Sequence, residues 1–341
     1  MTSHDRAHAM TVLAVEEAHD LVVAALVKAR TSEANAAAVA RALIAAELAG
    51  QSGHGLRRVA SYAAQAAAGK VDGFAVPVAD TAMPAAVAID AAGGFAFPAL
   101  ELAVERLAEI APRLGIAVAG IRRSHHCGVA GVPVEALAGR GLLALMVANS
   151  PPAMAPWGGN RALYGTNPIA FAAPLPGREP LVVDVSLSKV ARGRIMAAQQ
   201  KDEPIPEGWA FGPDGAPTTD PKAALAGFMA PLGEAKGTAL ALMVELIAAG
   251  LTGANYAYEA SSFFDAEGPP PGVGQTLIAI DPRAFGRDDA IARFGEMAQA
   301  VAATDGARLP GDRRREVRER LRRDGIPVDD ALLAALRALA A

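Results

Sequence analysis

Six short apolar segments, each five to seven residues long, dominate the middle of this 341-residue chain. They are too short for buried helices and are bounded by turn-forming or charged residues, so they predict strands. Helical periodicity at 98–113 and 132–139 separates some of them. Their spacing is too irregular for a strict strand-helix repeat, which favours an α/β fold with a mixed sheet. The predicted strands are Ala85–Asp90, Gly115–Ile121, Leu142–Ala148, Ile169–Ala173, Leu181–Val185 and Gln275–Ile280.

The start of the chain predicts helices instead. Thr11–Ala29 and Glu33–Ala49 carry apolar residues at helical spacing, with Thr31-Ser32 available as caps between them. A third helix is predicted over Val59–Ala68. Near the other end, the basic run 312–324 is typical of a solvated amphipathic helix with Arg/Glu pairs.

Composition excludes several classes of protein. The net charge of −4 argues against nonspecific DNA binding, which needs an excess of Lys and Arg. The longest apolar run, 237–251, contains Glu245 and is shorter than the roughly 20 residues of a spanning helix, so no membrane is expected. No secretory signal is recognisable, and a single cysteine fits a reducing compartment. A soluble, cytoplasmic protein is therefore expected.

Polar side chains cluster where the predicted strand ending at Ile121 meets a glycine-rich turn. Ser124, His125, His126 and Cys127 directly precede the Gly128-x-x-Gly131 pair. Open α/β sheets place their chemistry at such strand ends. The alternative is a surface turn with two solvated histidines.

A second histidine cluster lies upstream, at 50–58. Ser52, His54, Arg57 and Arg58 stand there between glycines. A simple turn between helices needs no imidazole and no pair of arginines. This segment is therefore a second site candidate, and the alternative is a polar loop with a solvated histidine.

Three further segments offer polar groups suited to a ligand. They are Y-G-T-N-P at 164–168, the stretch 184–195, and the helix opening at 233–246. Their candidate contacts are Thr166, Asn167, Asp184, Ser186, Ser188, Lys236 and Gly237. Hydroxyls, main-chain amides at a helix start and an ammonium suit anionic ligands, although each segment alone is more typical of ordinary turns and caps. No Gly-x-Gly-x-x-Gly opens a helix after a strand, so any dinucleotide is not held by a standard Rossmann fingerprint.

Taken in order, these segments resemble one family. The motifs are G-x-x-x-H-G-x-x-R around residue 54, R-x-S-x-H-x-G at 122–128, G-T-N-P at 165–168, D-x-x-x-S-x-x-A-x-G at 184–193, K-G-x-A-L-x-L-x-V-E-L at 236–246, and L-P-G-D-R at 309–313. Their order is similar to that of the malate/L-lactate dehydrogenase family, which is distinct from the Rossmann-type lactate and malate dehydrogenases. That family includes ureidoglycolate and sulfolactate dehydrogenases and reductases of Δ1-pyrroline-2-carboxylate and Δ1-piperideine-2-carboxylate.

The resemblance implies a homodimer with a non-Rossmann nicotinamide site. It implies a helical domain built from 1–75 with 285–341, and an α/β domain over 76–284 that binds cofactor and substrate. It makes His54 and His126 the acid/base candidates, with Arg58, Thr166 and Ser52 as substrate contacts. It makes the cofactor contacts Ser124, Asp184, Ser186, Ser188, Lys236, Gly237, Gly311 and Arg313. An arginine to clamp a carboxylate and a histidine to exchange a proton suit hydride transfer at C2 of a 2-oxo or 2-imino acid.

Three positions depart from the family pattern and bear on the substrate. Gly53 stands where the family commonly has serine, Leu187 where threonine is common, and Arg194 where some imino-acid reductases carry an acid. With the stretch 259–265, Gly53 and Leu187 favour a roomy, weakly polar pocket. The expected reaction is therefore NADPH-dependent reduction of Δ1-pyrroline-2-carboxylate or Δ1-piperideine-2-carboxylate, and the alternative is a 2-hydroxy-acid dehydrogenase using NADPH or NADH.

Two rival classes remain open. One is a metal-dependent hydrolase or lyase that gathers His54, His125 and His126, but the chain lacks the ligand spacings that such sites use, so no metal is expected. The other is a binding protein without catalysis, which would not need two imidazole clusters and an arginine.

Overall fold

The computed structural model describes residues 10–341. Its strands are β1 Met10–Leu13, β2 Val78–Met83, β3 Ala86–Asp90, β4 Ile116–Ser124, β5 Leu143–Ala148, β6 Ile169–Leu175, β7 Arg178–Val185, β8 Ala210–Phe211, β9 Pro217–Thr218, β10 Phe228–Met229, β11 Val273–Ile280 and β12 Ile326–Asp329. Its α-helices are α1 Val15–Lys28, α2 Glu33–Leu48, α3 Val59–Ala68, α4 Ala96–Leu114, α5 Gly131–Ala138, α6 Arg192–Lys201, α7 Pro221–Ala226, α8 Ala235–Glu245, α9 Ala290–Ala302, α10 Asp312–Asp324 and α11 Asp330–Ala340. All six predicted strands and the predicted helices are present.

The chain divides into two compact units. The first contains residues 10–74, 264–267 and 311–341, and the second contains 75–263 and 268–310. Residues 285–310, which the predicted boundaries place with the helical domain, fall in the second unit. The reason is that α9 packs on β6, where Gly295 lies against the ring of Pro176.

Helices form most of the first unit. The helices α1 and α2 make a hairpin, and the hydroxyl of Ser32 caps α2 by accepting from the main chain of Asn35 at 3.3 Å. The predicted first helix began too early, because residues 10–13 form β1 and pair antiparallel with β12. That partner strand lies near the other end of the chain, so helical periodicity alone could not reveal it.

The second unit is built on a seven-stranded sheet of order β2-β3-β4-β11-β5-β6-β7. Only β3 and β4 run parallel, and the other neighbours are antiparallel. The mixed sheet predicted from the sequence is thereby confirmed. The helices α4 and α5 pack on this sheet, and the apolar sides of β4 and β11 are almost fully buried.

A smaller apolar cluster lies in the same unit, beside a three-stranded sheet of order β10-β8-β9. It packs Met154, Leu187 and Ile195 against α8 residues such as Val244. Leu187 is 1% exposed, so its side chain is core. The expectation that Leu187 makes a pocket less polar is therefore wrong. Across residues 10–341, no helix has the length and apolar character needed to cross a membrane.

Candidate active site

Both imidazoles that follow β4 are buried in the second unit. His125 is 1% exposed and His126 is 8% exposed, which rules out a solvated surface turn. The ring of Phe263 lies 5.1 Å from each of the two imidazole rings, and Phe95 meets His125 edge-on. The side-chain amide of Gln275 donates to the carbonyl oxygen of His125 at 3.1 Å. An apolar wall and a main-chain tether thus fix this loop.

Ser124 precedes the imidazoles and is also buried, at 2% exposure. Its Oγ has no hydrogen-bond partner within residues 10–341. Buried hydroxyls are normally satisfied, so Ser124 Oγ is a candidate contact for a bound group.

Asp184, at the end of β7, anchors the far side of the same loop. Its Oδ2 accepts a hydrogen bond from the main-chain nitrogen of Gly131 at 3.0 Å, at the first residue of α5. A carboxylate is favoured there by the positive end of the helix. Burial and the nearby Asp184 charge raise the pKa of the Cys127 thiol to about 12. Cys127 therefore stays a neutral thiol and is not a nucleophile at neutral pH.

Main-chain hydrogen bonds join three of the separately predicted segments. The nitrogen of Leu187 donates to the carbonyl of Thr166 at 2.8 Å, and that of Leu232 donates to Leu187 at 2.7 Å. The nitrogen of Lys189 donates to the carbonyl of Ala230 at 2.8 Å. The segments around 166, 186 and 232 therefore lie side by side, and the last leads directly into α8.

Thr166 is held from both sides yet remains partly exposed. Its main-chain nitrogen donates to Ser150 Oγ at 3.0 Å, and the two hydroxyl oxygens lie 3.3 Å apart. A Cβ at Gly165 would fall 2.3 Å from the carbonyl oxygen of Ser150, so only glycine fits there. The structure thus presents the Thr166 hydroxyl from a tightly built loop.

Asn167 does not have the extended backbone that the following proline predicts. Its φ is +42°, in the left-handed region that Asn tolerates better than most residues. Its amide nitrogen donates to the carbonyl of Ala241 at 3.0 Å and to Glu245 Oε1 at 2.8 Å. These two bonds hold a conformation that the preference of the residue before proline opposes.

Glu245 is a buried carboxylate that the sequence did not single out as a site residue. It is 2% exposed, and burial raises its pKa while four N–H donors act in the opposite direction. Oε1 accepts from Gly165 N at 3.3 Å and Asn167 Nδ2 at 2.8 Å. Oε2 accepts from Asn149 Nδ2 and Ala257 N, each at 3.1 Å. One charge therefore binds three separate segments.

The predicted cofactor residues Ser186, Ser188, Lys236 and Gly237 lie in two places, the loop after β7 and the first turn of α8. Ser186 and Ser188 lie in the loop after β7, where their hydroxyls are 3.1 Å apart and Ser188 Oγ donates to the Val190 carbonyl at 2.8 Å. Ser188 is thus part of the loop's own framework. Lys236 is exposed in the first turn of α8, and a Cβ on Gly237 would fall 1.9 Å from the Leu232 carbonyl oxygen. The glycine lets the chain enter this helix.

The first unit holds the other histidine. His54 ends the 3₁₀ turn Ser52–His54, in which Ser52 is exposed and His54 half-buried. Arg58 follows in the next turn, where its Nε donates to the carbonyl of Gly53 at 2.9 Å and its guanidinium lies 4.7 Å from the ring centre of Phe264. Burial lowers the pKa of Arg58, but a guanidinium stays charged throughout the physiological range.

Glu47 fixes this arginine segment to α2. Its Oε1 accepts from the main-chain nitrogen of Leu56 at 2.7 Å, and burial raises the pKa of the Glu47 carboxyl. A Cβ at Gly55 would fall 2.2 Å from that oxygen. The glycine after His54 therefore lets the loop pass close to a buried acid.

Gly311 and Arg313, the remaining predicted cofactor residues, lie at the start of α10 in the first unit. Gly311 has φ +94° and is the N-cap residue, and Arg313 is exposed in the first turn. The first unit thus contains Ser52, His54, Arg58, Gly311 and Arg313, and the second contains the other predicted site residues. Among residues 10–341, no group of three His, Cys, Asp or Glu side chains is placed to hold a metal ion.

Comparison with known proteins decides the family. Residues 13–337 match the family described as malate/L-lactate dehydrogenase. This chain belongs to the malate/L-lactate dehydrogenase family. The (2R)-3-sulfolactate dehydrogenase (NADP(+)) of Chromohalobacter salexigens is 49% identical over 329 residues, which cover 96% of this chain and 98% of that protein. The resemblance seen in the sequence motifs is confirmed.

Other members of the malate/L-lactate dehydrogenase family are also similar over nearly the full chain. A Delta(1)-pyrroline-2-carboxylate reductase of Ancylobacter novellus is 41% identical over 330 residues, with 96% of this chain and 97% of that protein covered. The crystal structure of delta1-piperideine-2-carboxylate reductase from Pseudomonas syringae has a TM-score of 0.91 at 38% identity, covering 96% of this chain and 99% of that one. The protein is therefore an oxidoreductase, as predicted.

Within this malate/L-lactate dehydrogenase family member, the structure adds residues that the sequence interpretation missed. Phe263 packs on both imidazoles, Ser150 holds Thr166, and Asn149 and Glu245 tie the Thr166 loop to α8. A signal existed for one of them, because Glu245 is the acid of the K-G-x-A-L-x-L-x-V-E-L motif. Phe263 lies in the stretch 259–265, which had been considered only as pocket wall.

Proposed function

We propose that the protein transfers hydride between a nicotinamide cofactor and C2 of a small 2-oxo or 2-imino acid. One observation carries the proposal. In the second unit, a buried imidazole pair follows β4, and the hydrogen-bonded segments around Thr166 and Ser186 adjoin β6 and β7 of the same sheet. Relatives named dehydrogenases and reductases match 96% of this chain.

The residues present suit a nicotinamide dinucleotide in their chemistry. Ser124 Oγ is a buried hydroxyl that lacks a partner within residues 10–341, and Lys236 offers an exposed ammonium at the start of α8. Main-chain amides at a helix start favour phosphate oxygens. Gly311 and Arg313 offer a similar combination at α10. When bound, the cofactor supplies or accepts the hydride.

The protein's own groups would hold and protonate the substrate. Arg58 presents a charged planar fork that matches a carboxylate, and Phe264 under the guanidinium limits its orientations. His54 and His126 are the acid/base candidates, since an imidazole can give a proton in reduction and take it back in oxidation. The Thr166 hydroxyl, with Ser52 as a further candidate, would bind a polar atom of the substrate.

Two substrate classes have specific support. The first is the cyclic imines Δ1-pyrroline-2-carboxylate and Δ1-piperideine-2-carboxylate. They suit the ring of Phe263 beside the imidazoles in the second unit and, in the first unit, the ring of Phe264 and the open space beside Gly53. The second is the pair of 3-sulfopyruvate and (2R)-3-sulfolactate, because a protein named for that dehydrogenase activity is 49% identical. With Leu187 in the core, the case for the imines rests on the rings of Phe263 and Phe264, each in its own unit, and on Gly53.

A kinetic comparison tests the substrate assignment. We expect kcat/KM for a cyclic imine or for 3-sulfopyruvate to exceed the values for pyruvate and oxaloacetate. Pyruvate and oxaloacetate lack the apolar ring that would pack on the aromatic side chains, and neither is the substrate for which the sulfolactate relative is named. The assay follows nicotinamide absorbance with NADPH and NADH in parallel, and NADPH is expected to be preferred. A larger kcat/KM for pyruvate or oxaloacetate would contradict both assignments. The ratio of kcat/KM for the cyclic imine to kcat/KM for 3-sulfopyruvate distinguishes the two substrate assignments.

We also propose that the protein is a homodimer. Large apolar side chains are exposed on α8 and the π-helical turn that follows it, namely Leu240, Leu242, Met243, Leu246 and Leu251. An apolar patch of this kind on a soluble enzyme is typical of a subunit interface. Sedimentation at micromolar concentration is expected to give twice the chain mass of 34.8 kDa. A stable monomer at that concentration would contradict this proposal.

Cytoplasmic location is proposed from the cysteine chemistry. The chain's one cysteine, Cys127, is a free and buried thiol. Proteins in reducing compartments keep such thiols and rarely rely on disulfides. Fractionation of the native host, followed by activity measurement in the soluble and membrane fractions, tests the assignment.

A further inference from the structure

We propose that Glu245 is a positioning residue for the reaction, acting through the loop that presents Thr166. The inference rests on the proposed function, because Thr166 is a proposed substrate contact there. Glu245 itself is 2% exposed and has no role in proton transfer in that scheme. Its side chain reaches the site only through hydrogen bonds.

The geometry around Thr166 is the first argument. Glu245 Oε1 accepts from the residue before Thr166 and from the residue after it, namely Gly165 N and Asn167 Nδ2. Gly165 and Asn167 are buried, whereas Thr166 is partly exposed. The carboxylate therefore holds the loop on both sides of Thr166 and leaves the Thr166 side chain accessible.

The second argument is that hydrogen bonds alone stabilise the buried charge of Glu245. All four of its recorded partners are N–H donors, two from main chain and two from Asn amides, and no ion pair to it is recorded within residues 10–341. The amide of a glutamine at position 245 would place its own N–H group against two of these N–H donors. Glutamine at this position must therefore lose one pair of bonds.

Neither asparagine can turn its amide over to compensate. Asn149 Oδ1 accepts from the main-chain nitrogen of Gly274 at 2.8 Å, and its Nδ2 also donates to the Asn255 carbonyl at 2.8 Å. Asn167 Nδ2 donates to the Ala241 carbonyl as well as to Glu245. Both amides are fixed by other groups, so the network accepts only a carboxylate at Glu245.

The network also holds Asn167 in a backbone conformation that a residue before proline disfavours. Asn167 has φ +42° directly before Pro168, a combination that the residue preceding a proline avoids. Weakening the Glu245 bond should let Asn167 relax toward extended backbone. Thr166, one residue away, would then move relative to Ser150 and Leu187.

The central test is Glu245→Gln in the full-length enzyme, alone and combined with Thr166→Val. We expect Glu245→Gln to lower kcat/KM by about 10- to 100-fold, as misplacement of a substrate contact by roughly 1 Å does. If Glu245 acts through Thr166, kcat/KM of the double variant will be only slightly lower than that of the less active single variant. Effects that multiply would overturn the inference. The exposed Glu105→Gln on α4 is the matched control and should leave kcat/KM unchanged.

A second measurement separates this inference from the proposed function. Amide hydrogen exchange read by mass spectrometry should show faster exchange in residues 163–168 of Glu245→Gln than in the parent, whether or not a substrate is known. Unchanged exchange there would overturn the positioning role. An inactive parent on every 2-oxo and 2-imino acid would instead contradict the proposed function.

Asn167→Gly covers the case in which Glu245→Gln does not fold. Glycine accepts the positive φ without strain and removes the side-chain amide that donates to Glu245 and to the Ala241 carbonyl. The same non-additivity with Thr166→Val and the same faster exchange in 163–168 are expected. Their absence in a folded Asn167→Gly protein would overturn the inference.

Discussion

Replacing His126 or His54 with alanine is expected to lower kcat by about 10²- to 10⁴-fold in whichever variant loses the general acid. His126 is 8% exposed and packs on Phe263, so its ring has a fixed orientation from which to deliver a proton. His54 follows Gly53 in a half-buried turn and is the other imidazole with access to a ligand. Steady-state kinetics with saturating cofactor measure the effect.

His19→Ala is the matched control for these variants. His19 lies on α1, pairs with Asp20 at 3.1 Å and has no part in the proposed site. It should keep parental kcat, and circular dichroism should show that all three variants fold. Near-parental kcat in both His54→Ala and His126→Ala would eliminate histidine acid/base catalysis from the proposal. A large loss in only one variant would identify the general acid.

The sheet was predictable because its inner strands are mostly apolar. Segments such as 142–148 and 275–280 bury most of their side chains, and that is the pattern a sequence displays most clearly. The edge strand β2, V-A-D-T-A-M, contains Asp80 and Thr81 and exposes Val78 and Met83, so it gives no such signal. The two-residue strands β8, β9 and β10 are defined by their partners, which a local pattern cannot reveal.

The sequence picks out candidate ligand contacts but not the residues that support them. Hydroxyls, imidazoles and arginines between glycines stand out in a sequence, and Thr166 is a candidate for that reason. In the sequence, Glu245 interrupts an apolar run and belongs to the 236–246 motif, and neither feature predicts a supporting role. Its four hydrogen bonds reach residues 12 to 96 positions away, so its function depends on tertiary contacts. The left-handed Asn167 arises from those contacts and runs against the local preference before proline.

Replacing Arg58 with alanine is expected to lower kcat/KM by about 10²- to 10³-fold, mainly through KM, because a half-buried charged partner of the substrate carboxylate is lost. The side chain is held by the Gly53 carbonyl and by the face of Phe264, so little conformational freedom is lost when a carboxylate binds. The measurement is a full Michaelis–Menten curve for the best substrate. An unchanged KM would remove Arg58 from substrate binding.

Two variants sharpen the result for Arg58. Arg57→Ala removes the neighbouring guanidinium, which is exposed, and should change kcat/KM by only a few-fold. Arg58→Lys keeps the charge but loses the planar fork, so it should recover only part of the lost affinity. If lysine restored KM fully, the substrate would need charge alone at this position. Partial recovery instead would show that Arg58 also orients the carboxylate, and with it the carbon that receives the hydride.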